Sequence, residues 1–148
     1  MHTTFQTIHD RVGKSFESDP FVITQDRIVQ FADATDYHQW IDIYEDRAKA
    51  GPFGGTVAHG YLTLSLLVPL VQSVGLFPTN VSAVINYGLN KLRFVNPVRA
   101  GESVTLHGSL TDVSERAEGQ KLLMVQCEVK NESGKTVLAA ETLFLLVA

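Results

Sequence analysis

Cysteine is nearly absent from the 148-residue chain, which holds a single thiol at Cys127. One cysteine excludes an intrachain disulfide. Cys127 lies in a run of alternating apolar and polar residues, a pattern typical of a buried, unreactive thiol rather than of a nucleophile. His2, His9 and His107 show no metal-ligand spacing, and the sequence has no cluster of cysteine and histidine. We therefore predict no metal site.

The sequence also lacks an excess of positive charge and a long hydrophobic run. Its 12 basic and 16 acidic residues give a net charge of −4, which offers no basic surface to nucleic acid or anionic lipid. The most apolar stretch, residues 62–77, contains Thr63, Ser65 and Pro69 and falls short of the roughly 20 apolar residues of a membrane span. The first residues, MHTTFQTIHD, lack the apolar segment of a secretory signal. These absences predict a cytoplasmic protein with no nucleic-acid or membrane partner.

The composition that remains is that of an ordinary globular protein. Hydrophobic residues make up 45% of the chain and charged residues 19%, which is too apolar for disorder. A chain of about 150 residues corresponds to one domain, and no repeat or linker divides it. We therefore predict a single domain over residues 1–148.

The first half of the chain carries helical patterns. Thr24 is a suitable N-cap for a helix that has Asp26 in its first turn and apolar Ile28 beyond it. After a loop rich in glycine and proline, an almost wholly apolar segment predicts a second helix over about residues 58–73, buried on nearly all sides. Pro69 predicts a kink or an early end in this helix, because proline lacks the N–H of a helical hydrogen bond.

The second half changes to the alternating pattern of β-strands from about Ala83. One strand-like segment ends before Pro97, two more have apolar residues at alternate positions, and residues 131–134 have the composition of a hairpin turn. One apolar helix beside several long antiparallel strands predicts an α+β domain in which a curved sheet wraps the helix.

Two segments resemble a known family. Residues 31–67 read FADATDYHQWIDIYEDRAKAGPFGGTVAHGYLTLSLL, and residues 85–104 read INYGLNKLRFVNPVRAGESV. Both resemble the MaoC-like dehydratases, the (R)-specific enoyl-CoA hydratases also called hydratase 2, and in particular their NodN-like subgroup. The resemblance implies a homodimeric hotdog fold with a long buried central helix. It also implies binding of acyl thioesters of coenzyme A or acyl carrier protein, in fatty acid metabolism.

The reaction that the resemblance implies is the reversible addition of water to a trans-2-enoyl thioester. In the family, an aspartate and a histidine five positions later hold and deprotonate the water. A backbone N–H at the start of the buried helix stabilises the enolate oxygen, and Gly60 stands where that N–H is expected. No phosphate-cradling loop occurs, so we predict no cofactor beyond the coenzyme A or acyl carrier protein that enters with the substrate.

Both catalytic positions of the family pattern are changed in this chain. The resemblance aligns Tyr37 with the expected aspartate and Asp42 with the expected histidine. A phenol, with a reference pKa of about 10, is a poor base at neutral pH, and a carboxylate lacks the ability of imidazole to take and return a proton there. Positioned acid and base groups contribute about 10²–10⁴-fold each. The resemblance therefore implies a hydratase with weakened or lost activity.

Other residues near the motif are candidates for the missing chemistry. His38 lies four positions before Asp42 and would share a face with it on a helix, and Asp36 is an alternative, shifted carboxylate. His59 is expected to hold the start of the helix and to form part of the binding wall, with direct catalysis as the alternative role. We expect the remaining candidates to line the acyl pocket or to contact the thioester carrier: Trp40, Phe53, Asn90 and Arg93.

Two further functions stay open. A non-catalytic acyl-binding subunit fits the changed motif, since some dehydratases of this family are heterodimers in which only one chain keeps the catalytic pair. Its partner would be an intact paralogue, encoded by a neighbouring reading frame. An acyl-CoA thioesterase is the other alternative, because some hotdog enzymes hydrolyse thioesters with a lone carboxylate, here Asp42. Release of free coenzyme A would favour that function.

Overall fold

The computed structural model describes residues 3–148, so the interpretation of His2 lies outside the described residues. A short 3-10 turn occupies Ile8–Arg11. Within the described chain, the α-helices are α1 (Gln25–Thr35), α2 (Trp40–Ile43), α3 (Glu45–Lys49), α4 (Gly60–Ser65) and α5 (Leu67–Ser73). The strands are β1 (Ser15–Glu17), β2 (Phe21–Val22), β3 (Ala83–Phe94), β4 (Ser103–Ala117), β5 (Gln120–Asn131) and β6 (Thr136–Val147).

The strands form one antiparallel sheet with the order β1-β4-β5-β6-β3, and β2 also pairs with β4. The turn predicted over residues 131–134 closes the hairpin between β5 and β6, where the N–H of Gly134 donates to the carbonyl of Asn131 at 3.0 Å. Buried apolar side chains of the long strands form one core with those of α4 and α5. This arrangement confirms the expected α+β hotdog fold, in which a curved sheet wraps a helical layer.

Helix α1 begins where the sequence predicts. The Thr24 hydroxyl accepts a hydrogen bond from the N–H of Arg27 at 3.1 Å, which satisfies one of the amides that the first turn leaves unpaired. The helix ends at Asp36, whose φ of 55° is left-handed. This reversal turns the following segment toward α4.

The predicted central helix is present but is broken at Leu66, between α4 and α5. Pro69 explains the break, since it has no N–H to donate to the carbonyl of Ser65 and its ring crowds that carbonyl. The kink predicted from Pro69 is therefore confirmed. Burial on nearly all sides is not observed, because Tyr61 is 58% exposed. No helix within residues 3–148 is long and apolar enough to cross a membrane.

Strand β3 lies at one end of the sheet and is irregular at two places. Its pairing with β6 shifts register between Asn86 and Gly88 and again between Asn90 and Arg93. Lys91, at the second shift, has a φ of 55°. Each irregularity re-aims the following side chains, so the alternation of faces does not run unbroken along β3. Four large apolar side chains on β3 are exposed: Ile85, Tyr87, Leu89 and Phe94.

Candidate functional site

A cleft of about 360 Å³ opens between the segment that joins α1 to α2, the loop that leads into α4, and the residues that follow β3. Its walls combine apolar side chains with a small number of polar groups, as in most ligand sites. The lining residues with polar side chains, together with one glycine, are Tyr37, Gln39, Asp42, His59, Gly60, Thr63 and Asn96.

Asp42 is held in the cleft wall through its backbone. It lies on α2, which has four residues and is too short to be stable without tertiary contacts. Gln25 Nε2 donates to the Asp42 carbonyl at 2.8 Å, and Gln25 Oε1 accepts from the Thr56 hydroxyl. The N–H of Val57 donates to the carbonyl of Ile41 at 3.0 Å. These bonds tie α1, α2 and the loop before α4 to one another.

The side chains of Asp42 and His59 meet in the cleft wall, with the carboxylate Oδ2 3.4 Å from the imidazole Nε2. Each residue is only 3% exposed. Burial raises the pKa of Asp42 above its usual value of 3.8, because the carboxylate loses hydration, and the attraction of His59 opposes part of this rise. We call these two residues the Asp42/His59 pair.

The imidazole of His59 has a defined orientation. Nε2 lies 2.9 Å from the backbone carbonyl of Tyr37, and because a carbonyl only accepts, Nε2 carries the hydrogen. Nδ1 is buried and has no hydrogen-bond partner among residues 3–148. The rings of Phe31 and Tyr37 pack against the imidazole, with centroids 4.9 and 4.8 Å away. His59 therefore holds an unpartnered acceptor among aromatic neighbours.

Gly60 begins α4 beside this pair. Because it is the first helical residue, no preceding turn provides a carbonyl for its N–H. A Cβ at this position would lie 3.1 Å from the ring of Phe94, so glycine lets this ring pack close to the start of α4. The N–H of Gly60 is the candidate donor to an oxygen atom bound in the cleft.

His38 does not reach Asp42. The helix expected to place both on one face begins only at Trp40, so the expected pairing is not formed. Instead, His38 Nε2 lies 2.9 Å from Asp33 Oδ1 on the exposed surface. Asp36, the other candidate carboxylate, caps α1, is exposed, and lies outside the cleft lining.

The binding candidates divide between the cleft and the surface. Phe53 and His59 line the cleft. Trp40 packs against an arginine guanidinium of α3, Asn90 donates to a carboxylate of β6 at 3.0 Å, and Arg93 donates to the carbonyl of the residue before it. These three are outside the cleft lining. The cleft thus gathers Tyr37, Asp42, Phe53, His59 and Gly60, and the substrate roles of all the candidates stay predictions.

Gln25 and Thr56 are site residues that sequence reasoning did not identify. Gln25 directly follows the Thr24 cap, where the sequence indicates only the start of a helix. Thr56 follows a glycine-rich loop. No spacing in the sequence relates either residue to Asp42, because their hydrogen bonds join segments that are distant along the chain.

Known proteins resemble this chain along nearly its whole length. Residues 6–132 match the family model described as MaoC like domain. The chain is 41% identical over 150 residues to 3-hydroxyacyl-thioester dehydratase Z of Mycobacterium tuberculosis, covering 98% of this chain and 99% of that protein. It is 36% identical over 138 residues to Nodulation protein N of Rhizobium leguminosarum bv. viciae, covering 89% and 84%. The solved structure of a Monoamine oxidase regulatory protein from Archaeoglobus fulgius has a TM-score of 0.81 at 28% identity, covering 99% of this chain and 95% of that chain.

Proposed function

The chain belongs to the MaoC-like dehydratase family, and from this premise we propose that it catalyses the reversible hydration of trans-2-enoyl thioesters to (R)-3-hydroxyacyl thioesters. The observation that carries the proposal is the buried Asp42/His59 pair in a cleft wall beside the N–H of Gly60. Hydration needs an acid/base group and an oxyanion donor close to one another. This cleft contains both kinds of group.

Gly60 is the oxyanion donor of the proposed site. As water adds at C3, negative charge develops on the thioester oxygen, and a backbone N–H aimed at that oxygen stabilises the charge. Gly60 lines the cleft, and its missing Cβ avoids a clash with the ring of Phe94 at the start of α4. One such donor contributes about 10²–10³-fold to the rate.

The Asp42/His59 pair supplies the acid/base group. It takes over the task that the family pattern assigns to the positions of Tyr37 and Asp42. Its burial keeps bulk water from the polar groups, which strengthens their interaction with a reacting charge. Tyr37 contributes its backbone carbonyl, which orients His59, while its phenol stands in the cleft wall.

The proposed substrate class agrees with the relatives. The protein from Mycobacterium tuberculosis is named as a dehydratase of 3-hydroxyacyl thioesters, and dehydration is the reverse of the proposed hydration. We propose that coenzyme A or acyl carrier protein carries the acyl group and enters the cleft with it, with no further cofactor.

Hydration of crotonyl-CoA tests the proposal. We expect the purified chain to convert crotonyl-CoA to 3-hydroxybutyryl-CoA, measured as a decrease in the absorbance of the enoyl thioester. We expect Asp42→Asn to lower kcat by about 10²–10⁴-fold. Asp112→Asn, an exposed change on β4, is the control and should keep the parent activity. The absence of hydration at every pH from about 5 to 9 contradicts the proposal. Release of free coenzyme A in its place would identify a thioesterase.

We also propose that the working form is a homodimer built on β3. This strand has one edge with no strand partner in the described part of the chain, and beside that edge it exposes Ile85, Tyr87 and Leu89. Several exposed apolar side chains at an open edge are typical of an interface. A second copy is the simplest occupant, because two identical edges can pair about a twofold axis.

Analytical ultracentrifugation tests the homodimer. Tyr87→Asp should give monomers, because it buries a charge in the proposed interface. Val22→Asp on β2 is the matched control, since Val22 is 53% exposed and Tyr87 52%, and it should leave the dimer intact. A parent chain that stays monomeric contradicts the homodimer. Dimerisation only with an intact paralogue would identify a heterodimer subunit.

A further inference from the structure

Within the proposed hydration, on which this inference rests, the two residues of the Asp42/His59 pair have different tasks. We propose that His59 is the catalytic residue that takes the proton of the reacting water through Nδ1, and that Asp42 is a positioning residue that holds the imidazole through Nε2. The sequence favours the reverse, in which Asp42 is the acid/base group and His59 is structural.

The contacts of His59 leave Nδ1 as its basic atom. Nε2 lies 2.9 Å from the Tyr37 carbonyl and 3.4 Å from the Asp42 carboxylate. A carbonyl and a carboxylate both accept hydrogen bonds, so together they keep the hydrogen on Nε2. In that neutral tautomer the lone pair belongs to Nδ1, which is the atom that takes up a proton.

Nδ1 needs a donor that the fold does not supply. It is buried and has no hydrogen-bond partner among residues 3–148. Buried polar atoms are nearly always paired, so an acceptor without a partner points to a donor that arrives with the reaction. An O–H of water is such a donor, and in the reverse direction the 3-hydroxyl of the substrate is another. His59 and Gly60 line the same cleft, so the proposal puts this O–H and the oxyanion donor in one site.

Few titratable groups in the described chain face His59. Asp42 faces it from α2, and Tyr37 faces it from the segment before α2. Helix α1 packs the apolar Phe31 on the imidazole. The titratable side chain of α4, Tyr61, is 58% exposed and contacts a phenylalanine ring of β3 instead. An imidazolium formed at His59 therefore has the Asp42 carboxylate as its counter-charge.

The proposed step is balanced in atoms and electrons. As the C3–O bond forms, the proton of water passes to Nδ1, and the π electrons of C2=C3 move into the thioester as an enolate. The N–H of Gly60 stabilises the enolate oxygen, and Asp42 stabilises the imidazolium. The same proton then passes from Nδ1 to C2, which gives the 3-hydroxyacyl thioester and returns His59 to its neutral form.

The substitution His59→Gln separates a base from a structural residue. The glutamine amide keeps an N–H for the Tyr37 carbonyl but has no basic nitrogen. We expect kcat for crotonyl-CoA hydration to fall by about 10²–10⁴-fold, with little change in KM. The pH dependence of kcat/KM should also differ between this variant and the parent, because the variant keeps Asp42 but has no imidazole. His107→Gln, at a histidine 3.5 Å from Glu17 on the sheet surface, is the matched control and should keep the parent activity.

The tautomer of His59 is a second measurement that does not depend on turnover or on any variant. Long-range proton–nitrogen NMR of the parent should show the hydrogen on Nε2 and an unprotonated Nδ1. A hydrogen on Nδ1 overturns the proposal, as does a folded His59→Gln enzyme that hydrates at the parent rate. In that second case the hydratase function stands with Asp42 as the base. A parent chain that does not hydrate crotonyl-CoA removes the proposed function and this assignment together.

Discussion

Asp42 and His59 are seventeen positions apart in the chain, yet Oδ2 of the one lies 3.4 Å from Nε2 of the other. The contact forms because Gln25 holds α2 by the Asp42 carbonyl, while the N–H of Ala58 donates to the carbonyl of Val98 at 2.8 Å and holds the loop before α4. Loss of hydration raises the pKa of Asp42 by more than the attraction of His59 lowers it. The charged carboxylate therefore lowers the stability of the fold, although the proposed reaction needs it.

We expect Asp42→Asn to raise the free energy of unfolding near neutral pH although it removes most of the hydration activity. Because the pKa of Asp42 is higher in the folded than in the unfolded chain, its stabilising contribution is complete below the unfolded pKa and is lost as the pH rises through the folded pKa. Asparagine does not undergo this loss. Urea unfolding at about pH 7 and about pH 4 measures the effect, and the gain over the parent should shrink at the lower pH. A variant that is less stable at both pH values would contradict the expectation.

Gln25→Leu should lower activity more than it lowers stability. It leaves the Asp42 carbonyl and the Thr56 hydroxyl without their partner, which costs about 1–3 kcal/mol in the free energy of unfolding. A shift of α2 of about 1 Å would cost up to about 10²-fold in kcat. Thr56→Val is the matched variant, since it removes only the hydroxyl and leaves the bond to Asp42. Equal kinetics for the two variants would show that Gln25 does not position Asp42.

Gly60→Ala should reduce kcat/KM with little effect on folding. Alanine is well suited to a helix, but its Cβ would lie 3.1 and 3.2 Å from two atoms of the Phe94 ring, so this exposed ring must move within the cleft wall. We expect a loss of at most about 10²–10³-fold, because alanine keeps the N–H and the change can only disturb its contact with the thioester oxygen. Gly55→Ala is the control, because no atom lies within 4 Å of a Cβ at that position. An unchanged kcat/KM for Gly60→Ala would remove Gly60 from the site.

His38→Gln should leave hydration and stability close to the parent values. His38 pairs with Asp33 on the surface, and exposed substitutions of this kind change the free energy of unfolding by about 0.5 kcal/mol or less. Steady-state kinetics of His38→Gln and His59→Gln, measured together with the parent, compare the kcat values of the two variants directly. A large loss of kcat for His38→Gln alone would restore the sequence hypothesis of an acid/base role.

Cys127 should be inert in the folded protein. It is buried, as its alternating pattern predicts, and burial raises the pKa of the thiol to about 12. At about pH 8 almost none of it is then thiolate, the form that reacts. A colorimetric disulfide reagent should detect no thiol in the native chain and one thiol per chain in guanidinium chloride. Rapid reaction of the native protein would contradict this expectation.

The features that depend on neighbouring residues were predictable from the sequence. The Thr24 cap, the break that Pro69 causes and the turn at residues 131–134 each follow from the chemistry of one side chain and its near neighbours. Alternation indicated the long strands, although the two shifts of β3 became visible only in its pairing with β6. The resemblance of residues 31–67 led to the family and aligned Asp42 with the position of the expected histidine. It did not indicate that Asp42 contacts His59.

The sequence by itself determined the element types, the absence of an intrachain disulfide and the segment that carries the candidate site. Only the tertiary structure decided that Asp42 meets His59 and that His38 turns away to Asp33. The physical reason is the distance along the chain over which each interaction acts. Caps, kinks and alternation act over two to four residues, where the backbone sets the geometry. The Asp42/His59 contact depends on how α1, α2 and the loop before α4 pack, and it involves desolvation that no spacing in a sequence reveals.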